Sequence, residues 1–118
     1  MPRIVLLAFG FLALLSGARL EASAQNPAYV GTWGQNQPQC RIDQSLEGAP
    51  MIMKRDHYDQ HETHCVFTSV RKQGASWAVR SRCDVQGDRQ SANFTLSVTE
   101  NRLTMRDERG ARTFQRCR

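Results

Sequence analysis

The sequence predicts an all-β domain, a small antiparallel barrel or sandwich of about seven strands with two disulfides. Three observations carry this. The second half of the chain alternates apolar and polar residues with a period of two. Turn-forming Gly, Asn and Asp residues fall between the alternating runs. Four cysteines sit in a short chain that opens on an apolar stretch.

That opening reads as an export leader. Arg3 precedes an apolar run from Ile4 to Leu15, and Ala22-Ser23-Ala24 has the small-x-small form after which signal peptidases cut. The run falls short of the roughly 20 residues that cross a bilayer as a helix. We therefore expect residues 1–24 to be a cleaved signal peptide and residues 25–118 to be a single β domain, periplasmic or secreted. No later stretch approaches membrane length, so no membrane span is expected after cleavage.

A domain of about 94 residues buries only a little over ~60% of its unfolded surface and is marginal without a brace. Cys40, Cys65, Cys83 and Cys117 all lie in the mature part, and an even count in a short exported chain reads as two disulfides. Each adds roughly 2–4 kcal/mol, against a total stability of ~5–15 kcal/mol. Of the three pairings we favour Cys40–Cys65 with Cys83–Cys117, which would staple the amino-terminal loop and the tail to the sheet. A four-cysteine zinc site would need C-x2-C knuckles, and the spacing has none.

The strands follow from periodicity. Tyr29–Trp33 and Met51–Lys54 are short candidates. Thr63–Val70 pairs with Ser76–Cys83 across Lys72-Gln73-Gly74-Ala75. In the latter run Trp77, Val79 and Cys83 share one face, and Arg80 and Arg82 the other. Ala92, Phe94, Leu96 and Val98 alternate with Asn93, Thr95 and Ser97. Arg102–Arg106 and Ala111–Cys117 complete the set, with Phe114 and Cys117 on opposite faces unless a bulge intervenes. No long helix is expected. His57, His61 and His64 are the exception to easy reading. As a helical turn N-capped by Asp56 they share a face; as extended chain, His57 and His61 lie together and His64 opposite.

Function classes can be weighed from the same residues. The three histidines, interleaved with Asp56, Asp59 and Glu62, are of the type that binds zinc or copper. A solvated polar loop explains them more economically, so no metal site and no cofactor are assigned. His61-Glu62 does not open an H-E-x-x-H helix, because His64 comes one residue early. Ser45, Ser69 and Ser76 lie in no nucleophile motif, no Gly-rich phosphate loop is present, and the cysteines are committed to disulfides. The chain reads as a binding protein and not an enzyme. Loss of Arg3, Arg19 and Glu21 lowers the formal charge of +5 by one. The remaining basic residues are dispersed among acids, which argues against a nucleic-acid partner. Arg80, Arg82, Arg89, Arg102, Arg106 and Arg112 fall on strands, and a shared outer face would make a cationic surface for an acidic partner. Asn93-Phe94-Thr95 fits the glycosylation sequon, yet Phe94 reads as core.

Gly31-Thr32-Trp33 opens the domain. This G-x-W on a small barrel resembles the opening of lipocalin-type folds and of the exported alkaline-protease-inhibitor family, whose members insert an amino-terminal trunk into a protease cleft. The wider pattern is similar to small four-cysteine periplasmic proteins of alphaproteobacteria. It comprises that opening, Cys40, Gly48-Ala49-Pro50, the acidic and histidine-rich run to Cys65, then Trp77, Cys83, Gly87 and Arg116-Cys117. The resemblances imply a periplasmic β-barrel. The expected function is an exported binding module with a protein partner, in one form an inhibitor of an envelope or host hydrolase. The alternative is a small-ligand or metal-binding periplasmic protein using the barrel mouth or the His57/His61/His64 segment.

Overall fold

The computed structural model describes residues 25–118; the expected leader, residues 1–24, lies outside them. Eight strands follow in order: β1 (Gly31–Gly34), β2 (Met51–Met53), β3 (His57–Gln60), β4 (Thr63–Gln73), β5 (Ser76–Val85), β6 (Asp88–Thr99), β7 (Arg102–Asp107) and β8 (Gly110–Arg116). Each pairs antiparallel with its chain neighbours, and β8 returns to β1, so the sheet closes into a barrel. A single 3-10 turn, Pro38–Arg41, sits in the long β1–β2 loop.

The expected all-β fold holds, with one strand more than counted. The addition is β3, in the histidine-rich run. Tyr58 is buried between His57 and Asp59, so the chain alternates in and out and is extended where a helical turn was considered. His61 follows with φ of 50°, which ends the strand and turns the chain back into β4.

Alternation places Val79 and Cys83 of β5, Phe94 and Leu96 of β6, Leu103 and Met105 of β7 and Phe114 of β8 in one core. Aromatic rings meet edge to face: Phe67 and Phe94 have centroids 5.9 Å apart, and Tyr58 and Phe94 6.1 Å. Such contacts add about 0.5–1.5 kcal/mol beyond area burial. Ser81, buried among them, donates to the Ala92 carbonyl at 2.6 Å, which removes the cost of an unpaired hydroxyl.

The closing seam is short: β1 and β8 share only the pairs Trp33↔Arg116 and Gly34↔Gln115, as few as β2 and β3 share. Side chains reinforce it. The Trp33 ring is wholly buried, and its Nε1 donates to the Tyr29 carbonyl at 2.8 Å. The Arg116 guanidinium lies over that ring, 4.3 Å from the centroid. It donates to the carbonyls of Val30 at 3.0 Å and Ala28 at 2.8 Å. Gly31, with φ of 153°, makes room: a Cβ there would sit 2.5 Å from Arg116 Nη1. Gly31-Thr32-Trp33 is therefore half of a latch whose other half is Arg116.

The disulfides are Cys40–Cys117 and Cys65–Cys83, which corrects the favoured pairing. Cys65 and Cys83 are direct partners in the β4–β5 register, both point inward, and their Cα atoms lie 4.0 Å apart. Cys117 lies beyond the last β8 residue, so strand alternation does not govern it and no bulge is needed. It meets Cys40 on the 3-10 turn, fixing the β1–β2 loop against the closing seam.

Gly31→Ala is expected to destabilise the domain by ~1–3 kcal/mol, the cost of a strained backbone position combined with displacement of Arg116; urea unfolding measures it. Cys40→Ala/Cys117→Ala opens a bridge spanning 77 residues. A loss of roughly 2–4 kcal/mol is expected, with the far-ultraviolet spectrum of the barrel retained.

Candidate functional site

Strand lengths set the site. β6 pairs with β5 along its length but with β7 only over Thr95–Thr99. The edge from Asp88 to Phe94 therefore lacks a β7 partner. An open cleft of about 880 Å³ wraps this free edge. Its inner arm is the mouth of the barrel, bounded by Tyr58, Cys65, Cys83, Phe94, Met105 and Arg112. Its outer arm runs over the sheet exterior past Arg71, Ala78, Arg80, Thr95 and Arg106.

The outer arm is cationic. Alternation along β5 turns Arg80 and Arg82 outward. Register lines up Ser69, Arg80 and Asn93 in one row and Arg71, Ala78, Thr95 and Arg106 in the next. Val66 pairs with Arg82 and is 61% exposed. Among the described residues every ion pair uses a histidine, so none of these guanidinium groups is in an ion pair.

Of the six arginines expected to gather, Arg80, Arg82 and Arg106 do. Arg89 stands opposite Asp84, and Arg102 lies at the far end of β6, opposite Thr99. Arg112 is a correction: it is the register partner of the buried Met105 and turns toward the inner arm. Arg71 takes its place outside. A bulge between Phe67 and Ser69 shifts the parity of β4; without it Arg71 would face inward.

In the inner arm, Arg112 donates to Met105 Sδ at 3.3 Å and lies 6.0 Å from the Phe114 ring centroid. Burial raises the Tyr58 pKa above that of an ordinary phenol, while the charge of Arg112 opposes the shift. No described group hydrogen-bonds the Tyr58 hydroxyl, and no buried side-chain polar atom lacks a partner. The hydroxyl therefore opens onto the cleft. Sequence patterning missed Tyr58 as a site residue, and its only signal was one apolar position among histidines and acids.

The histidines are divided. The β3–β4 register pairs Asp59 with His64, and His64 Nδ1 is 2.7 Å from Asp59 Oδ1. His57 Nε2 is 3.8 Å from the other Asp59 oxygen, and its Nδ1 is 2.7 Å from Asp56. His57 and His64 thus share the outer face, contrary to the extended reading that paired His57 with His61. His61 sits in the turn, where Gln44 accepts from its amide at 3.0 Å and the Gln44 carbonyl lies 3.0 Å from its Nδ1. That contact ties the β1–β2 loop to the β3–β4 turn. Among the described residues no group of three or more His, Cys, Asp or Glu is placed to hold a metal. The hydrogen bond from His57 lowers the Asp56 pKa, and those from the Ser45 hydroxyl and amide lower that of Asp43.

Comparison with family models, curated proteins and solved structures found no match to the chain. Among the described residues no helix is long and apolar enough to cross a membrane.

His57→Ala is expected to return the Asp56 carboxyl toward its ordinary value, read by carboxyl-carbon NMR titration. A depressed carboxylate pKa contributes stability present above the unfolded value and lost as pH falls through the folded one. The variant should therefore lose slightly less stability than the parent over that acid window.

Proposed function

We propose that the domain is an exported, non-catalytic binding module that docks an acidic protein partner on the arginine-rich outer face of β4–β7. The observation that carries this is the set Arg71, Arg80, Arg82 and Arg106 around a surface of small neutral residues, with exposed Val66 at its edge. Guanidinium forks match carboxylates in bidentate geometry. Single exposed ion pairs contribute little, so a useful affinity needs several together with an apolar contact, which this face offers. Arginine is also enriched among residues that dominate interface energy. A barrel closed by a latch and two disulfides has little freedom to lose on docking.

Two disulfides support an oxidising compartment, in keeping with the leader-like opening. The oxidation of all four thiols leaves none of them free as a nucleophile, which supports the non-catalytic reading. Inhibition of an envelope or host hydrolase is one form of the reading, with an acidic rim on the enzyme as the matching surface.

A photo-cross-linker placed at Asn93 should capture a discrete partner in the native envelope. Arg80→Gln/Arg82→Gln/Arg106→Gln should weaken capture by tenfold or more, and raised salt should do the same. Absence of a discrete adduct, or equal capture by the folded triple variant, contradicts the reading.

A further inference from the structure

We propose that the inner arm of the cleft binds a small amphiphilic carboxylate. Its head would meet the Arg112 guanidinium and the Tyr58 hydroxyl, and its apolar body would lie against Phe94, Met105 and the Cys65–Cys83 disulfide.

Tyr58 is 8% exposed, so its ring is a wall of the barrel and its hydroxyl is held in place. That hydroxyl lacks a protein partner among the described residues and faces the cleft. A phenol is protonated at neutral pH, so it offers a hydrogen-bond donor. Arg112 stands nearby beside the Phe114 ring, with one described side-chain hydrogen bond, to the Met105 sulfur at 3.3 Å. A thioether is a weak acceptor, and no carboxylate of the described residues pairs with this guanidinium. One cation and one neutral donor converge beside Phe94 and Met105, with Gln90 on β6 and Asp107, Glu108 and Arg109 of the β7–β8 turn at the rim.

That chemistry selects the ligand. A guanidinium and a hydroxyl match the charge and two oxygens of one carboxylate. Phe94, Met105 and the disulfide line the arm and offer an apolar body van der Waals contact. The inner arm is one part of the open cleft of about 880 Å³ that wraps the β6 edge. The walls are preorganised: the disulfide locks the β4–β5 register, and Phe94 packs on Tyr58 at 6.1 Å. β6 separates this arm from Arg80 on the exterior, so the inference does not rest on the acidic-protein reading.

The test is a titration of the oxidised domain with 4-phenylbutyrate and its neutral counterpart 4-phenylbutanol, followed by amide NMR. Saturable shifts are expected at Gln90, Ala92, Phe94, Met105 and Arg112, with the acid binding at least tenfold tighter than the alcohol. Arg112→Gln should remove that preference, Tyr58→Phe should weaken the acid several-fold, and Arg80→Gln should leave it unchanged. Because Arg112 lies at the rim and Tyr58→Phe keeps the ring, both variants should retain the native spectrum. Should one unfold, the acid-to-alcohol ratio on the parent still decides. Equal binding of acid and alcohol, an undiminished preference in Arg112→Gln, or no saturable shift overturns the proposal. Loss of acid binding in Arg80→Gln would place the ligand on the exterior and overturn it as well.

Discussion

The Arg116 guanidinium lies over the buried Trp33 ring and donates to two carbonyls of the amino-terminal segment. This contact carries the closing seam of a barrel in which β1 and β8 share two residue pairs. A stacked guanidinium is worth ~0.5–2 kcal/mol, and each charge-assisted hydrogen bond roughly 1.5–3. Together these outweigh what two more ladder positions would supply. The seam also holds the carboxyl-terminal tail. Cys117 donates its amide to Thr32 at 2.8 Å and bonds Cys40, so latch, tail and β1–β2 loop form one unit. Gly31 is part of the same constraint, because a side chain there would collide with Arg116.

The candidate surfaces follow from what closure leaves unpaired. β4, β5 and β6 run 11, 10 and 12 residues, while β7 has 6. The long strands outrun their neighbour, and the free edge of β6 is the result. The bulge in β4 then decides which side chains border it by turning Arg71 outward. Aromatic rings pack together in the barrel centre, and the two candidate surfaces lie on the exterior and at the mouth. Alternation along β8 distinguishes the two faces, placing Phe114 and Arg112 inward and Thr113 outward.

Much of this was legible in the sequence, for a physical reason. Where a strand is buried on one face, the period-two pattern must be written into it, as in Ala92–Val98 and Ser76–Cys83. β3 was obscured because only Tyr58 of its four residues is buried, so alternation had one apolar position to show itself. The disulfide pairing was hidden for two different reasons. Cys65–Cys83 depends on the hairpin register, which the bulge lets the sequence disguise. Cys40–Cys117 joins two segments outside the ladder, where periodicity carries no information. The inward turn of Arg112 was likewise masked by its charge, which on composition alone assigns it to solvent. Trp33 was recognised as an anchor, but its partner Arg116 lies at the far end of the chain, and no local pattern links the two.

The most direct test of this account is a double-mutant cycle at the latch, with Trp33→Leu, Arg116→Leu and the pair compared by equilibrium urea unfolding of the oxidised domain. If the stacked guanidinium closes the barrel, the two losses will be non-additive by ~1 kcal/mol or more, because either change removes the shared contact. Losses that add within about 0.3–0.5 kcal/mol would show that Trp33 and Arg116 stabilise the domain independently, and would contradict the claim that closure depends on their contact.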